Sequence, residues 1–247
     1  MTTSILKFGS YTFGASFHVA STPGDSALQV DSVPYRDGAI VSTPRIAEKI
    51  IEVRGMLYSD TSTLRTKMDA LQAAMNVGRQ KLYLHADRFI YAIKKSFTTS
   101  YDPSSFDRYC DVSITFVCDT GLYESETESS DTWASPASGG TRVVASAGNA
   151  SALPVYALTF ATAGTANVRL ACGSLYFSLT GAVGAGDVIQ VDAAAKTVKL
   201  GSTGADKILL FDGTFFGLAP GDNTLTYTYV SGPAVSQIVT TWRDRWY

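Results

Sequence analysis

Apolar and polar residues alternate with a period of two along much of this chain. In YCDVSITFVC, residues 109–118, one parity holds Cys110, Val112, Ile114, Phe116 and Cys118, and the other holds Asp111, Ser113 and Thr115. That is the pattern of a strand with one buried face. Residues 4–11, 45–58, 155–160 and 187–191 also read as strands. Residues 81–85 and 88–95 read as a hairpin around Ala86-Asp87. Residues 192–196 form a turn to a returning strand, 197–200, and Pro220-Gly221-Asp222-Asn223 a turn that feeds the alternating run 224–230. One segment departs from this period. Leu64, Met68, Leu71 and Met75 recur at spacings of four, three and four, with Arg65, Lys67, Asp69 and Gln72 facing elsewhere. This predicts a helix over about 61–77 with one apolar stripe, packed on a sheet. Asp60, Thr61 or Ser62 can cap its start and Gly78 can end it.

Composition supports a mostly β chain. Apolar residues make up 45% and charged residues 17%, the latter below the usual ~25%. A length of 247 residues suits two ordinary domains. The stretch ESETESSDTWASPASGG, residues 124–140, is rich in Ser, Thr, Glu, Gly and Ala and has one aromatic, Trp133. It reads as a linker. The expected organisation is a domain over 1–123, α+β with its one helix packed on a β-sandwich, and a second β-sandwich over 141–247. Residues 20–45, with Pro23, Pro34 and Pro44, read as a long loop and a candidate contact element.

The net charge of −2 gives no basic footprint for tight nucleic-acid binding. No apolar run approaches the ~18–20 residues of a membrane-spanning helix, so no membrane insertion is expected. The start MTTSILKFGS does not read as a signal peptide, which points to synthesis and retention in the cytoplasm. The odd count of three cysteines argues against a disulfide framework. Cys110 and Cys118, in one strand, would stand roughly 26 Å apart, beyond disulfide reach. They read as small buried residues.

Little in the chain suggests chemistry. It has two histidines, His18 and His85, and no G-x-S-x-G, H-E-x-x-H, Walker or EF-hand motif. The glycines Gly181, Gly184 and Gly186 precede a strand and do not open a helix, so they read as a pair of β-turns and not as a phosphate loop. Asn149-Ala150-Ser151 is a formal glycosylation acceptor in a chain with no sign of secretion. No particular pair of carboxylates stands out. No catalytic residue, cofactor site or metal site is expected, and the chain reads as a non-enzyme. Two of its three tryptophans fall within the last six residues, together with a tyrosine and two arginines, so the terminus should be docked. Tyr227 and Tyr229 share a face with Leu225, and Trp242 and Trp246 share one with Thr240. These four aromatics are the candidates for sugar or partner contact; burial in a core or subunit interface is the alternative.

The closing segments carry a more specific signal. They include Gly186, Asp187, Ile189, Val191 and Asp192; Gly213, Phe215, Phe216, Leu218, Pro220, Gly221, Asn223 and Leu225; and Trp242, Arg243, Arg245 and Trp246. In this order, after an opening at 149–160, they resemble the carboxy-terminal galectin-like domain of siphophage distal tail proteins over roughly the last hundred residues. The first half is similar to the amino-terminal domain of that family through Leu71, Leu82, Leu84, Asp87, Arg88, Ile114, Thr115 and Phe116. The resemblance implies a structural component of a siphovirus tail: a homo-oligomer, expected as a six-membered ring, that joins the tail tube to the tail tip or baseplate. It implies docking to a tube protein and a hub protein, an outer attachment domain for which a receptor-binding protein is a further partner, and DNA only as passing cargo. The protein would be part of the virion and assembled in the host cytoplasm. The first alternative is a carbohydrate-binding host-recognition module. A β-rich hydrolase and another tail-tube or baseplate protein are further rivals.

Overall fold

The computed structural model describes residues 6–21, 49–59, 63–100 and 108–247, and in addition the backbone pairing of four short strands between positions 26 and 46. The chain forms two compact units, Met1–Glu124 and Ser125–Tyr247.

The first unit contains β1 (Lys7–Phe8), β2 (Tyr11–Thr12), β3 (His18–Ser21), β4 (Ser26–Ala27), β5 (Val30–Ser32), β6 (Ala39–Val41), β7 (Arg45–Ile46) and β8 (Lys49–Tyr58). Then come α1 (Leu64–Met75), β9 (Gln80–His85), β10 (Arg88–Ser100), β11 (Tyr109–Cys118) and β12 (Tyr123–Ser125), the last crossing the boundary. Its main sheet is antiparallel in the order β2-β1-β9-β10-β11-β8-β3. Alternation sets the faces. Val53 pairs with Ile114 and Ile51 with Phe116, all four fully buried, whereas Arg54 pairs with Ser113 on the opposite face. The stripe Leu64, Met68, Leu71 and Met75 packs into the same core. Gly55 in β8 is required by close approach: a Cβ there would lie 2.4 Å from the Phe17 ring.

The helix is shorter than the expected 61–77. Thr63 occupies its N-cap without a side-chain cap bond, and the candidate caps Asp60, Thr61 and Ser62 lie outside the described residues. Asn76 closes the helix by donating its N–H to the Ala73 carbonyl, and Gly78 takes up the left-handed conformation two residues later (φ 73°). Within the expected long loop, β5 pairs with β6 and β4 with β7, so two antiparallel ladders are nested there.

The second unit packs two sheets face to face. Its strands are β13 (Ser129–Ala134), β14 (Thr141–Ser146), β15 (Val155–Phe160), β16 (Gly164–Cys172), β17 (Leu175–Val183), β18 (Val188–Asp192) and β19 (Thr197–Leu200). A 3-10 turn, Ile208–Leu210, leads to β20 (Phe211–Gly213), β21 (Gly221–Ser231), β22 (Val235–Trp242) and β23 (Arg245–Trp246). One sheet runs β13-β22-β15-β18-β19 and the other β14-β21-β16-β17-β20. Between them lie Tyr156, Leu158, Phe160, Val168, Leu170, Phe177, Phe216 and Tyr227, among others. Tyr156 contacts both Phe177 and Phe216, with ring centroids 5.6 and 5.0 Å away.

Three sequence expectations are corrected here. The stretch 124–140 is not a linker: β13 pairs with β22 along its whole length, from Ser129↔Trp242 to Ala134↔Gln237. Its polar composition is that of an edge strand with one wet face. Ser130, Thr132 and Ala134 are exposed, while Trp133 turns inward to meet Tyr227 edge-on at 6.4 Å. Second, residues 238–247, which the sequence suggests are one closing strand, are divided between β22, which ends at Trp242, and β23 (Arg245–Trp246). Finally, Gly181 lies within β17, opposite Ala166, and only 184–186 form a turn.

Candidate functional site

Asp244 holds the end of the chain in a clasp. Its Oδ1 accepts hydrogen bonds from the Trp242 Nε1 (3.1 Å), the Ala147 backbone N–H (2.9 Å) and the Ser146 hydroxyl (3.0 Å). Its carbonyl accepts the Ser125 N–H. Arg243 donates to the carbonyls of Ser125 and Glu126, and the Arg245 carbonyl accepts the N–H groups of Asn149 and Ala150. Gly148 leaves room for this crossing, since a Cβ there would sit 2.2 Å from the Arg245 oxygen. The Trp-Arg-Asp-Arg-Trp ending therefore fastens the exit of the unit to its entry. A second staple holds the Pro-Gly-x-Asn turn. Buried Asn223 accepts from the Ala219 N–H and donates to the carbonyls of Ala219 and Gly221. β21 accordingly begins at Gly221, earlier than the expected 224.

The four aromatic candidates fall into different environments. Tyr227 is fully buried in the sandwich core, and its hydroxyl accepts the Val235 N–H at 3.1 Å; it offers no surface to a ligand. Trp242 is also buried, with its indole N–H committed to Asp244. Tyr229 is 37% exposed and closes the β21–β22 turn by donating its hydroxyl to the Gly232 carbonyl at 2.6 Å. Trp246 is half-buried in β23. The shared parity with Leu225 and Thr240 thus points mostly into the core, and no sugar platform is assembled from these four. Sequence reasoning missed Asp244, which sits among charged neighbours in Trp-Arg-Asp-Arg-Trp, and it placed Asn223 in the turn without its bonding role.

On the first unit, the solvent side of β3, β8, β10 and β11 forms a groove of about 340 Å³, lined by Ser16, His18, Arg54, Met56, Ser100 and Asp111 among others. Beside it, the Glu52 carboxylate accepts from Arg54 Nε at 2.8 Å and the Ser113 hydroxyl at 2.9 Å. The Arg54 bond first, and then that from Ser113, holds the Glu52 carboxyl below the usual carboxylate range. Ser16, Ser100 and Ser113 line the groove together with His18, and among the described residues no hydrogen bond joins that histidine to a serine. Cys110 and Cys118 are buried and joined in no disulfide; burial pushes the Cys118 thiol up to about 12, with Lys49 opposing, which makes it a poor nucleophile. Among the described residues no three His, Cys, Asp or Glu side chains come together as metal ligands.

Residues 147–246 match a family described as the siphovirus-type tail component, C-terminal domain. The whole chain is similar in fold to SPP1 Dit (gp 19.1), described as a paradigm of the hub adsorption apparatus in phages that infect Gram-positive bacteria. The TM-score is 0.74 at 16% sequence identity, covering 98% of this chain and 99% of that one. A chain of the phage p2 baseplate in its activated conformation with Sr gives a TM-score of 0.51 at 9% identity, covering 98% of each. No curated protein matches the chain at the level of sequence.

Proposed function

We propose that this chain, whose residues 147–246 match the siphovirus-type tail component family, is a distal tail protein that closes into a six-membered ring between the tail tube and the tail tip. It is a structural component of a phage tail. The observation that carries this reading is the likeness in fold along both units to a hub protein, together with the family match over 147–246. In this reading the amino-terminal unit builds the ring, a tube protein and a hub protein dock on its two sides, and the carboxy-terminal unit offers an attachment surface to a receptor-binding protein. DNA passes without being read, in keeping with a net charge of −2. The chain has no turnover of its own, is assembled in the host cytoplasm and ends in the virion. Of the aromatic candidates, Tyr229 and Trp246 are the two that reach the surface, and we keep them as partner contacts.

The test is assembly. Light scattering and negative-stain imaging of the purified protein, alone and mixed with its tube and hub partners, should show six-membered rings. A protein that stays monomeric with every tail partner would overturn the reading.

A further inference from the structure

We infer that the outer face of the β14-β21-β16-β17-β20 sheet is a binding site for a neutral, polyhydroxylated ligand, the hexose units of a glycan. The argument begins with register. Thr228 pairs with Arg169, Arg169 with Ser178, and Ser178 with Asp212, so these four side chains form one row across four strands. Directly paired residues point to the same side of a sheet. Val168, Leu170, Phe177 and Leu179, of the opposite parity, are buried in the core, so the row faces outward. The neighbouring row is Thr226, Ala171 and Tyr176. Its middle member, Ala171, is small.

Two features separate this face from an ordinary wet sheet surface rich in threonine. The Arg169 guanidinium lies on the Tyr176 ring, 3.5 Å from its centroid, and Tyr176 remains 37% exposed. Cation–π attraction holds a guanidinium on a ring face, and a guanidinium so held can still donate its N–H groups outward as a planar fork. Asp212, two strand spacings or about 10 Å away along the row, presents an exposed carboxylate. Among the described residues neither Arg169 nor Asp212 belongs to an ion pair. A donor fork and an acceptor, with hydroxyls between and beside them and an aromatic flank, suit a sugar ring. Hydroxyls at one end of the sugar accept from the fork and hydroxyls farther along it donate to the carboxylate, while a C–H face lies beside the Arg169–Tyr176 stack. The carboxylate cancels the single cation, which disfavours a phosphate or sulfate polymer. This face is distinct from the four aromatic candidates, and the inference stands whether or not the chain forms a ring.

The experiment is titration of the full chain with an array of neutral hexo-oligosaccharides, with poly(glycerol phosphate) and dextran sulfate as anionic probes. The wild-type protein should bind at least one neutral oligosaccharide. Arg169→Ala and Asp212→Asn should each weaken that binding about tenfold or more, the loss expected for a hydrogen bond to a charged group. Both residues are exposed, so the melting temperature should hold. Arg169→Lys keeps the charge and loses the planar fork, and should weaken binding comparably. Three results would each overturn the inference: no neutral oligosaccharide bound, affinity unchanged in the Arg169→Ala and Asp212→Asn variants, or binding of the anionic probes alone.

Discussion

Single polar atoms decide much of the second unit. Asp244 Oδ1 receives three donors, and Asn223 satisfies both the N–H and the carbonyl of Ala219 in the turn. Tyr156 is the opposite case. It is fully buried, and its hydroxyl has no hydrogen-bond partner among the described residues. A buried, unpaired hydroxyl costs on the order of 1–3 kcal/mol. Burial also drives the Tyr156 pKa up, far above its ordinary value of 10.0, so the folded protein holds this proton where the unfolded chain releases it. A raised folded-state pKa gives stability that is fully present below pH ~10 and is lost as pH climbs above it, by roughly 1.4 kcal/mol per pH unit for each such group. Tyr156→Phe should therefore be neutral or stabilising at pH 7 and should flatten the decline in stability above pH 10. Some slope should remain, because the Tyr227 pKa is also raised, by burial first. Chemical denaturation of both proteins from pH 7 to 11 checks this; a marked loss of stability at pH 7 would show that the hydroxyl is satisfied after all.

At the level of elements, β13 illustrates how an edge strand is built from polar sequence. Backbone pairing with β22 and the partial burial of one tryptophan against Tyr227 hold it, with little apolar help from its other residues. Removing a fully buried aromatic from a core costs about 3–5 kcal/mol, and a half-buried tryptophan such as Trp133 contributes less. A fragment of residues 125–247 should fold as a monomer. A fragment beginning at Thr141 loses β13 and the Ser125 and Glu126 carbonyls that Arg243 engages, and should melt markedly lower or fail to fold. Circular dichroism melts of the two fragments make the comparison. Equal melting temperatures would return 124–140 to the status of a linker. By the same logic, proteases should not find an open site at 129–134, where the backbone is laddered.

The whole molecule divides between Glu124 and Ser125, and each side has its own core. The first core joins the α1 stripe to β8, β9, β10 and β11. A fragment of residues 1–124 contains all of those elements and should remain folded. If this unit builds the proposed ring, it should form rings without the rest of the chain, while the 125–247 fragment stays monomeric. Sizing chromatography and negative-stain imaging of the two fragments test this division of labour. Oligomers formed by the carboxy-terminal fragment alone would reverse it.

Local periodicity determined the secondary structure, because each signal needs only neighbours in sequence. The stripe Leu64, Met68, Leu71 and Met75 has to lie on one side of a helix, and Cys110, Val112, Ile114, Phe116 and Cys118 have to lie on one side of a strand, whatever they pack against. All nine are buried. The ordered motifs of the last hundred residues were legible for the same reason and pointed to the family that matches over 147–246. What the sequence left open depends on partners distant in the chain. Residues 124–140 look like a linker until β22, more than a hundred positions later, supplies the other half of the ladder. Tyr227 and Tyr229 have the same parity, but one fills the core and the other closes a turn, because the paired β16–β21 ladder shifts register between Asn167 and Val168, opposite Tyr229. Arg169, Tyr176 and Asp212 carry no motif at all. Only the pairing of β16, β17 and β20 brings a cation, a ring and a carboxylate to one face, and that juxtaposition belongs to the tertiary structure alone.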